Sequence, residues 1–280
     1  MALRVLSLGA GVQSSTLALM IEQGELPPID VAIFADVKGE PKKVYDWLEY
    51  LKKKITSYPI HVVTWRDLKQ DILDASKGEY KAFTAPFFTK NIETGKKGML
   101  RRQCTNSYKV QPVIQEIRRL LGLKKGEKRK SGTEVELLMG ISQDEIVRMR
   151  KNQLNYITNE YPLVDKKMTR KDCLQWLEDN FYPTPPRSAC TFCPYHSNKE
   201  WLDIKNGDQD EWKEIVEMDK AIRNQEKFKE KNKNQKVIDE IFLHRSCLPI
   251  DEVDFENEKN KDQLDFNFGM LNECEGMCGN

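Results

Sequence analysis

Two of the seven cysteines in this 280-residue chain form a Cys-x-x-Cys turn, the spacing with the most specific chemical use in the sequence. Cys190 and Cys193 stand in the run Cys-Thr-Phe-Cys-Pro. Both thiolates can bind one metal ion there, as in zinc sites and iron–sulfur clusters, or form a redox pair. The motif is half of a metal site, so its completion requires one or two further ligands. Candidates elsewhere in the chain are Cys104, Cys247, Cys274, Cys278 and His196.

Cys104 lies among basic residues, in the run from Leu100 to Lys109. This run predicts the start of a helix, and a helix N-terminus attracts anions and favours the thiolate form of a nearby cysteine. Cys104 is therefore predicted to act as a thiolate ligand or nucleophile, with Arg101 and Lys109 neutralising phosphate groups. A buried, inert thiol is the alternative for Cys104.

A run of small residues between an apolar strand and an apolar helix predicts a phosphate site near the N-terminus of the chain. The run Ser-Leu-Gly-Ala-Gly-Val-Gln-Ser-Ser spans Ser7 to Ser15. Its glycines let the backbone approach an anion, and the N–H groups of the first helical turn point at that anion. The residues assigned to this site are Ser7, Gly9, Ala10, Gly11, Gln13 and Ser14. An ordinary glycine-containing turn of an α/β sheet is the alternative.

Asp36 follows the second predicted strand, in the run Asp-Val-Lys-Gly-Glu. A carboxylate at this place can hold ribose hydroxyls or an adenine amino group. The alternative is that Asp36 caps a helix that begins at Pro41.

The fourth predicted strand ends in the run Gly-Ile-Ser-Gln-Asp-Glu-Ile-Val-Arg-Met-Arg, from Gly140 to Arg150. We assign Gly140, Glu145 and Arg150 to nucleotide binding. Arg148, like Arg150, would suit phosphate or sulfate oxygens. The alternative is a surface helix with an Asp144–Arg148 pair.

These residues come together only if the elements around them form a parallel sheet. Apolar strands are predicted over Val5–Leu8, Val31–Ala35, Ile60–Trp65 and Glu134–Ile141, and amphipathic helices lie between them. This alternation is typical of an α/β fold with a mostly parallel, doubly wound sheet, which binds ligands at the carboxyl ends of its strands.

The pattern changes beyond about Tyr161, where a helix capped by Thr169 and containing Cys173 as a core residue is predicted. We therefore divide the chain into a nucleotide-binding domain, 1–165, and a helical, cysteine-bearing extension packed on it, 166–280. Residues 77–105 are predicted to be a long loop of the kind that serves as a lid or is disordered.

Charge balance and hydropathy bound the partners and the cellular location that the sequence supports. The 45 basic and 44 acidic residues nearly cancel, so net charge gives no argument for binding to nucleic acid or membrane. The chain shows no signal-peptide pattern and no membrane-spanning apolar stretch, which predicts a cytoplasmic protein with reduced cysteines.

With these motifs in place, the chain resembles the PP-loop proteins that are similar to phosphoadenosine phosphosulfate (PAPS) reductase. These proteins belong to the adenine nucleotide alpha-hydrolase superfamily, and many of them are carried by phages and other mobile elements. Five motifs occur in the family's order. They are the Gly9–Ser14 loop, Phe-Ala-Asp-Val-Lys-Gly-Glu, the Arg-x-Cys-Thr segment at Cys104, the Gly140–Arg150 run and the Cys190–Cys193 segment. Gln13 departs from the family pattern, which has Asp there in many ATPases.

The resemblance implies an ATP-dependent sulfur-transfer enzyme that adenylates an acceptor. A 4Fe-4S cluster, with zinc as the alternative, would be held by Cys104, Cys190, Cys193 and Cys278. ATP or a related adenine nucleotide would be the cofactor, and Mg²⁺ is left open. The acceptor would be a nucleobase in tRNA or DNA, or a small molecule, and a homodimer is also left open. Alternatives are a thiol-dependent PAPS reductase and a non-enzymatic nucleotide-binding module with structural zinc.

Overall fold

The computed structural model describes residues 2–79, 83–124, 126–129, 132–223 and 239–256. The strands in chain order are β1 (Leu3–Leu8), β2 (Val31–Ala35), β3 (Ile60–Val63), β4 (Phe88–Asn91), β5 (Lys97–Met99), β6 (Val135–Met139), β7 (Ile157–Glu160) and β8 (Asp239–Phe242). The α-helices are α1 (Val12–Glu22), α2 (Lys42–Lys54), α3 (Leu68–Ser76), α4 (Gln111–Leu120), α5 (Pro162–Asp165), α6 (Arg170–Asp179), α7 (Asn198–Asn206) and α8 (Gln209–Arg223). A π-helix spans Thr105–Val110, and 3₁₀-helices span Gln143–Arg148 and Ile250–Glu252.

Packing divides the described chain into two compact units. The first contains the described residues of 2–65 and 105–189, and the second those of 66–104 and 190–256. Residues 166–189 pack with the first unit, through contacts between α6 and α1. The packing division therefore falls elsewhere than the boundary after residue 165, and the predicted domain organisation stays a prediction.

The first unit is built on a five-stranded, wholly parallel sheet with the strand order β3-β2-β1-β6-β7. The predicted α/β fold class and its four predicted strands are confirmed. The sequence analysis missed β7, whose four residues Ile-Thr-Asn-Glu include only one buried residue. In this order β1 lies beside both β2 and β6, so the connections diverge on either side of β1. The carboxyl ends of β1 and β6 therefore form a topological switch point, where ligands bind in open α/β sheets.

Successive side chains along each strand point to opposite faces of the sheet, and both faces are buried. Leu6, Phe34 and Leu138 pack in the core that contains the buried residues of α1, α2 and α6. Val5 and Leu137 pack on the other face, with side chains from α4. Helices on both faces make the sheet doubly wound, as predicted, and hold its strand ends in fixed positions.

Helix α6 begins as its sequence predicts. The Thr169 hydroxyl accepts a hydrogen bond from the Asp172 backbone, and the Asp172 carboxylate accepts one from the Thr169 backbone, which completes a capping box. Cys173 is fully buried in the core, as predicted. The start of this helix is consequently well fixed.

The second unit contains a three-stranded antiparallel sheet with the order β5-β4-β8. Strands β4 and β5 form a hairpin within residues 77–105, where the sequence analysis predicted a loop. The hairpin turn is closed by the Asn91 side chain, which accepts from the Thr94 backbone, and by Gly95 at φ +69°. Strands as short and polar as Phe-Thr-Lys-Asn and Lys-Gly-Met lack the apolar alternation that would have revealed them.

Among the described residues, no helix is both long and apolar enough to cross a membrane. The predictions that concern Cys274 and Cys278 fall outside the described residues.

Candidate functional site

The loop after β1 brings backbone N–H groups to the switch point. Ala10 adopts a left-handed conformation, with φ +59°, and Gly11 takes the N-cap position of α1, where it has no side chain to cap the helix. The first turn of α1 contains no acidic residue. The positive end of the helix dipole is therefore not neutralised by a carboxylate of that turn, which makes this turn suited to an anion such as phosphate.

Gly140, at the end of β6, lies directly against this loop. A Cβ atom built on Gly140 would lie 2.8 Å from the backbone nitrogen of Ser14. Only glycine permits this approach without a backbone shift. The loops after β1 and β6 are thus packed together at the predicted rim of the sheet.

A buried polar network joins the phosphate loop to the loop after β6. The fully buried side chain of Gln13 donates from Nε2 to Glu145 Oε2 at 3.3 Å and to Ser142 Oγ at 3.4 Å. Its Oε1 accepts from Arg170 Nη1 at 2.9 Å. Glu145 also accepts from Arg148 Nη1 at 2.5 Å, and both of these side chains are buried. The predicted residues Gln13, Glu145 and Arg148 are thereby brought together.

Arg170 belongs to this network, although the sequence analysis did not single it out. As the first residue of α6, it donates its backbone N–H to Asp144 Oδ1 at 3.1 Å. Gln143 N donates to Met168 O at 2.8 Å beside it. Arg148 is buried and pairs with Glu145, so its side chain does not lie on the exposed surface that the alternative from the sequence assumed.

Arg150 lies at the exposed end of the same segment. Its guanidinium donates to the carbonyl oxygens of Val147 and Met149 at 2.7 and 2.8 Å. Arg150 therefore closes the end of the 3₁₀-helix, and its proposed role with phosphate or sulfate stays a prediction.

Asp36, after β2, is buried and organises its own loop. Its Oδ1 accepts from Lys38 N at 2.8 Å and from the Tyr45 hydroxyl at 2.9 Å, while Lys38 Nζ lies 2.8 Å from Oδ2. Burial and the hydrogen bond to Asp36 raise the pKa of Tyr45 above its usual range. The following helix begins at Lys42 with Pro41 as its N-cap, so the alternative that Asp36 caps this helix is wrong. Its predicted contact with ribose or adenine is untested.

Lys109 forms a buried ion pair near the phosphate loop. Its Nζ lies 3.0 Å from Glu40 Oε1, and Ser188 Oγ donates to Glu40 Oε2 at 3.4 Å. Glu40 was missed as an individual site residue. A narrow crevice at the carboxyl ends of β1 and β2 is lined by Lys109 together with Ser7 and Gly9, among others. Lys109 and Gly9 of the phosphate loop thus line the same crevice.

The candidate cysteines that the structure describes, Cys104, Cys190, Cys193 and Cys247, belong to the second unit. Cys104 is partly exposed, and its backbone N–H and that of Gln103 both donate to Thr84 O at 2.9 Å. The π-helix Thr105–Val110 follows it directly along the chain, as the predicted helix start required. The guanidinium of Arg102 stacks over the Tyr195 ring at 5.6 Å.

Cys190 and Cys193 lie in a tight turn. Cys193 N donates to Cys190 O at 2.9 Å, and His196 N donates to Cys193 O at 3.2 Å. The His196 Nε2 atom is 2.9 Å from the same Cys190 oxygen, and the ring packs edge-on against Trp201. His196 therefore contacts the turn through both its backbone, at Cys193, and its ring, at Cys190.

Across the ranges that the structure describes, no group of three or more His, Cys, Asp or Glu side chains is placed to hold a metal ion. These ranges therefore do not by themselves assemble the predicted metal-binding set, and Cys278 lies outside them. Cys247 is buried with its thiol 3.7 Å from Thr89 O, and burial raises its pKa. This environment is typical of a structural cysteine. The cluster and the zinc alternative stay predictions.

The parallel sheet and the glycine-lined loop at its switch point define a class of α/β proteins suited to binding anionic ligands. No family model matches the chain, and no curated protein matches it. Among solved structures, the chain is similar to phosphoadenylyl-sulfate (PAPS) reductase from Candida auris in a phosphate complex. The match has 14% sequence identity and a TM-score of 0.42, and it covers 66% of this chain and 76% of that chain. Similarity at this level identifies neither a family nor an activity.

Proposed function

We propose that this chain is an enzyme that binds an adenine nucleotide by its phosphates at the loop after β1. The observation that carries the proposal is the uncapped first turn of α1, which stands at the switch point of a parallel sheet with Gly140 packed against Ser14 N. A phosphate at this place would accept hydrogen bonds from backbone N–H groups and would face the positive end of a helix dipole. We also propose that the chain is a PP-loop protein similar to PAPS reductase, as its five motifs suggest.

The charged residues around the loop have distinct roles in this proposal. Lys109 lines the same narrow crevice as Gly9 and would contribute a positive charge to the phosphates. Arg148 is held by Glu145, so an incoming anion would compete with that carboxylate for it. From its place in the sequence beside Cys104, we propose that Arg101 adds a further cation.

The reaction that we propose is ATP-dependent sulfur transfer. An acceptor oxygen attacks the α-phosphorus of ATP, pyrophosphate leaves, and the acceptor is adenylated. A sulfide donor then forms a carbon–sulfur bond at the acceptor carbon while the C–O bond breaks and AMP leaves with the acceptor oxygen. The backbone N–H groups of the loop would stabilise the charge on the departing pyrophosphate.

Several parts of this proposal go beyond the nucleotide site. The acceptor would be a nucleobase in tRNA or DNA, or a small molecule, and the protein would act in the cytoplasm. Cys104, Cys190 and Cys193 would hold an iron–sulfur cluster, with Cys278 as a further ligand. Iron, sulfide and zinc analysis of protein purified without oxygen tests this part by itself, and about four irons that are lost in Cys190→Ser would support it.

The nucleotide proposal is tested by isothermal titration calorimetry with ATP, ADP, PAPS and pyrophosphate, followed by product analysis. We expect micromolar to millimolar binding of ATP and, with a competent acceptor, release of pyrophosphate and AMP. Release of sulfite from PAPS without ATP would replace the sulfur-transfer reaction by the reductase alternative and leave the site unchanged. Failure of the folded protein to bind any of the four ligands would overturn the proposed site.

A further inference from the structure

We infer that Arg170 is a positioning residue for the phosphate loop and acts on it through the side chain of Gln13. This inference rests on the proposed nucleotide site. It adds the start of α6, a segment that none of the phosphate-site motifs includes, to the parts of the molecule that set nucleotide affinity.

The geometry fixes the Gln13 amide in one orientation. Arg170 Nη1 can only donate, so the atom that faces it at 2.9 Å is the carbonyl oxygen of the amide. The amide nitrogen then faces Glu145 and Ser142, at 3.3 and 3.4 Å, as a donor. Both ends of a fully buried amide are satisfied only in this arrangement.

Gln13 transmits this arrangement to the loop because it is the second residue of α1. Its own backbone N–H lies in the helical turn that faces the proposed phosphate. Ser14 follows Gln13 and is tightly packed, because its backbone nitrogen is the atom that Gly140 approaches most closely. A shift of the Gln13 side chain would therefore move N–H groups that must point at the ligand.

Arg170 is held firmly enough to serve as the fixed end of this link. Its backbone N–H donates to Asp144, in the 3₁₀-helix after β6, and the adjacent Thr169 completes the capping box of α6. Met168 accepts from Gln143 N at 2.8 Å. The start of α6 is thus bonded to both loops of the switch point.

Removal of the Arg170 guanidinium would leave the buried carbonyl oxygen of Gln13 without this donor. An unsatisfied buried polar group costs about 1–3 kcal/mol, which corresponds to roughly 5- to 150-fold if the loss falls on the binding-competent loop. The structure also predicts that a carboxylate at position 13 conflicts with Glu145, because it has no N–H to donate.

The test compares ATP and pyrophosphate affinity, by calorimetry, in Arg170→Ala, Arg170→Lys and the control Arg4→Ala. Arg4 is a partly buried arginine of the same unit, paired with Glu136 at the start of β1. We expect Arg170→Ala to weaken both ligands at least fivefold, Arg170→Lys to recover part of the loss, and Arg4→Ala to bind as the unchanged protein. Melting temperatures of all variants separate loss of fold from loss of affinity.

Gln13→Glu supplies a second readout that does not depend on Arg170→Ala folding. A carboxyl at position 13 faces Glu145, Ser142 and Arg170, and it must be protonated to donate to Glu145. Its ligand affinity is expected to fall with rising pH relative to the unchanged protein at each pH. Equal affinities for Arg170→Ala and the unchanged protein, or no pH difference for Gln13→Glu, would overturn the inference. Absence of binding by the unchanged protein would instead overturn the proposed function.

Discussion

Glu40 is the acceptor for two donors in the interior of the first unit, where Lys109 and Ser188 converge on its carboxylate. Neither the pair nor its burial follows from the local sequence, because the partners lie 69 and 148 positions away along the chain. A buried ion pair adds little net stability, but removing one of its two partners is strongly destabilising. We therefore expect a large loss of stability when Glu40 is replaced.

Glu40→Gln is expected to lower the free energy of unfolding by roughly 3–5 kcal/mol, because it removes the carboxylate that pairs with the buried Lys109 ammonium. Urea denaturation followed by circular dichroism measures this loss. The double variant Glu40→Gln with Lys109→Met is the matched control and should recover much of it. A single variant as stable as the unchanged protein would contradict the buried pair.

Gly140 is the residue whose side-chain absence matters most directly for the proposed site. Gly140→Ala places a Cβ 2.8 Å from Ser14 N. Because Ser14 N is a backbone atom, this contact can be relieved only by a shift of the backbone. We expect a loss of about 1–3 kcal/mol in stability and weaker nucleotide binding. Gly98→Ala is the matched control, since its Cβ meets the rotatable hydroxyl of Thr89 at 3.0 Å. Unchanged nucleotide affinity in Gly140→Ala would show that the two loops can separate without consequence.

At the scale of elements, α6 and α7 begin with equivalent capping boxes, at Thr169 and Ser197. The start of α6 is hydrogen-bonded to the loops of the switch point, whereas Asn198 at the start of α7 accepts from Arg245. The two helices therefore share the same local signal but differ in what they hold in place.

Thr169→Ala and Ser197→Ala should each cost about 0.5–2 kcal/mol in stability through loss of the cap. Only Thr169→Ala should also weaken nucleotide binding, because fraying of α6 releases the Arg170 contacts. Chemical denaturation and calorimetry on the same samples measure both effects. Equal nucleotide affinities in the two variants would mean that the cap of α6 has no effect on nucleotide binding.

The sequence indicated the elements whose signals are local. The strand-turn-helix at Gly9–Gly11, the rim position of Glu145 and the cap at Thr169 all follow from short-range patterns. The hairpin of β4 and β5 and the strand β7 escaped because short polar strands acquire their pairing from neighbours distant in sequence. Arg170 escaped for the same reason, since its partner Gln13 lies 157 positions earlier.

At the scale of the whole molecule, the pH dependence of stability has a buried contributor in the second unit. His244 is buried, with Nδ1 2.8 Å from Ser246 Oγ and Nε2 3.2 Å from Asn198 Oδ1. Burial, helped by the positive charges of Arg245 and Lys97, lowers its pKa to about 4. The folded protein therefore keeps this histidine neutral under conditions in which an unfolded chain would protonate it.

Because the unfolded pKa is about 6.5, the contribution of His244 is fully present above that pH and is lost as the pH falls toward 4. The loss amounts to about 3 kcal/mol over this range. Urea denaturation at several pH values, compared with His244→Gln, isolates it from the carboxylates that titrate in both proteins. Parallel pH profiles for the two proteins would contradict the buried neutral ring.

The pairing of β4 with β8 joins Phe88 to Phe242 across most of the chain. At synthesis rates of about 5–20 residues per second, the ribosome completes β8 on the order of ten seconds after β4. During that interval, the edge of the nascent β4–β5 hairpin presents unpaired backbone groups to any other chain nearby. The second unit therefore completes its sheet late in translation, and this edge is where we expect chaperones to be needed most.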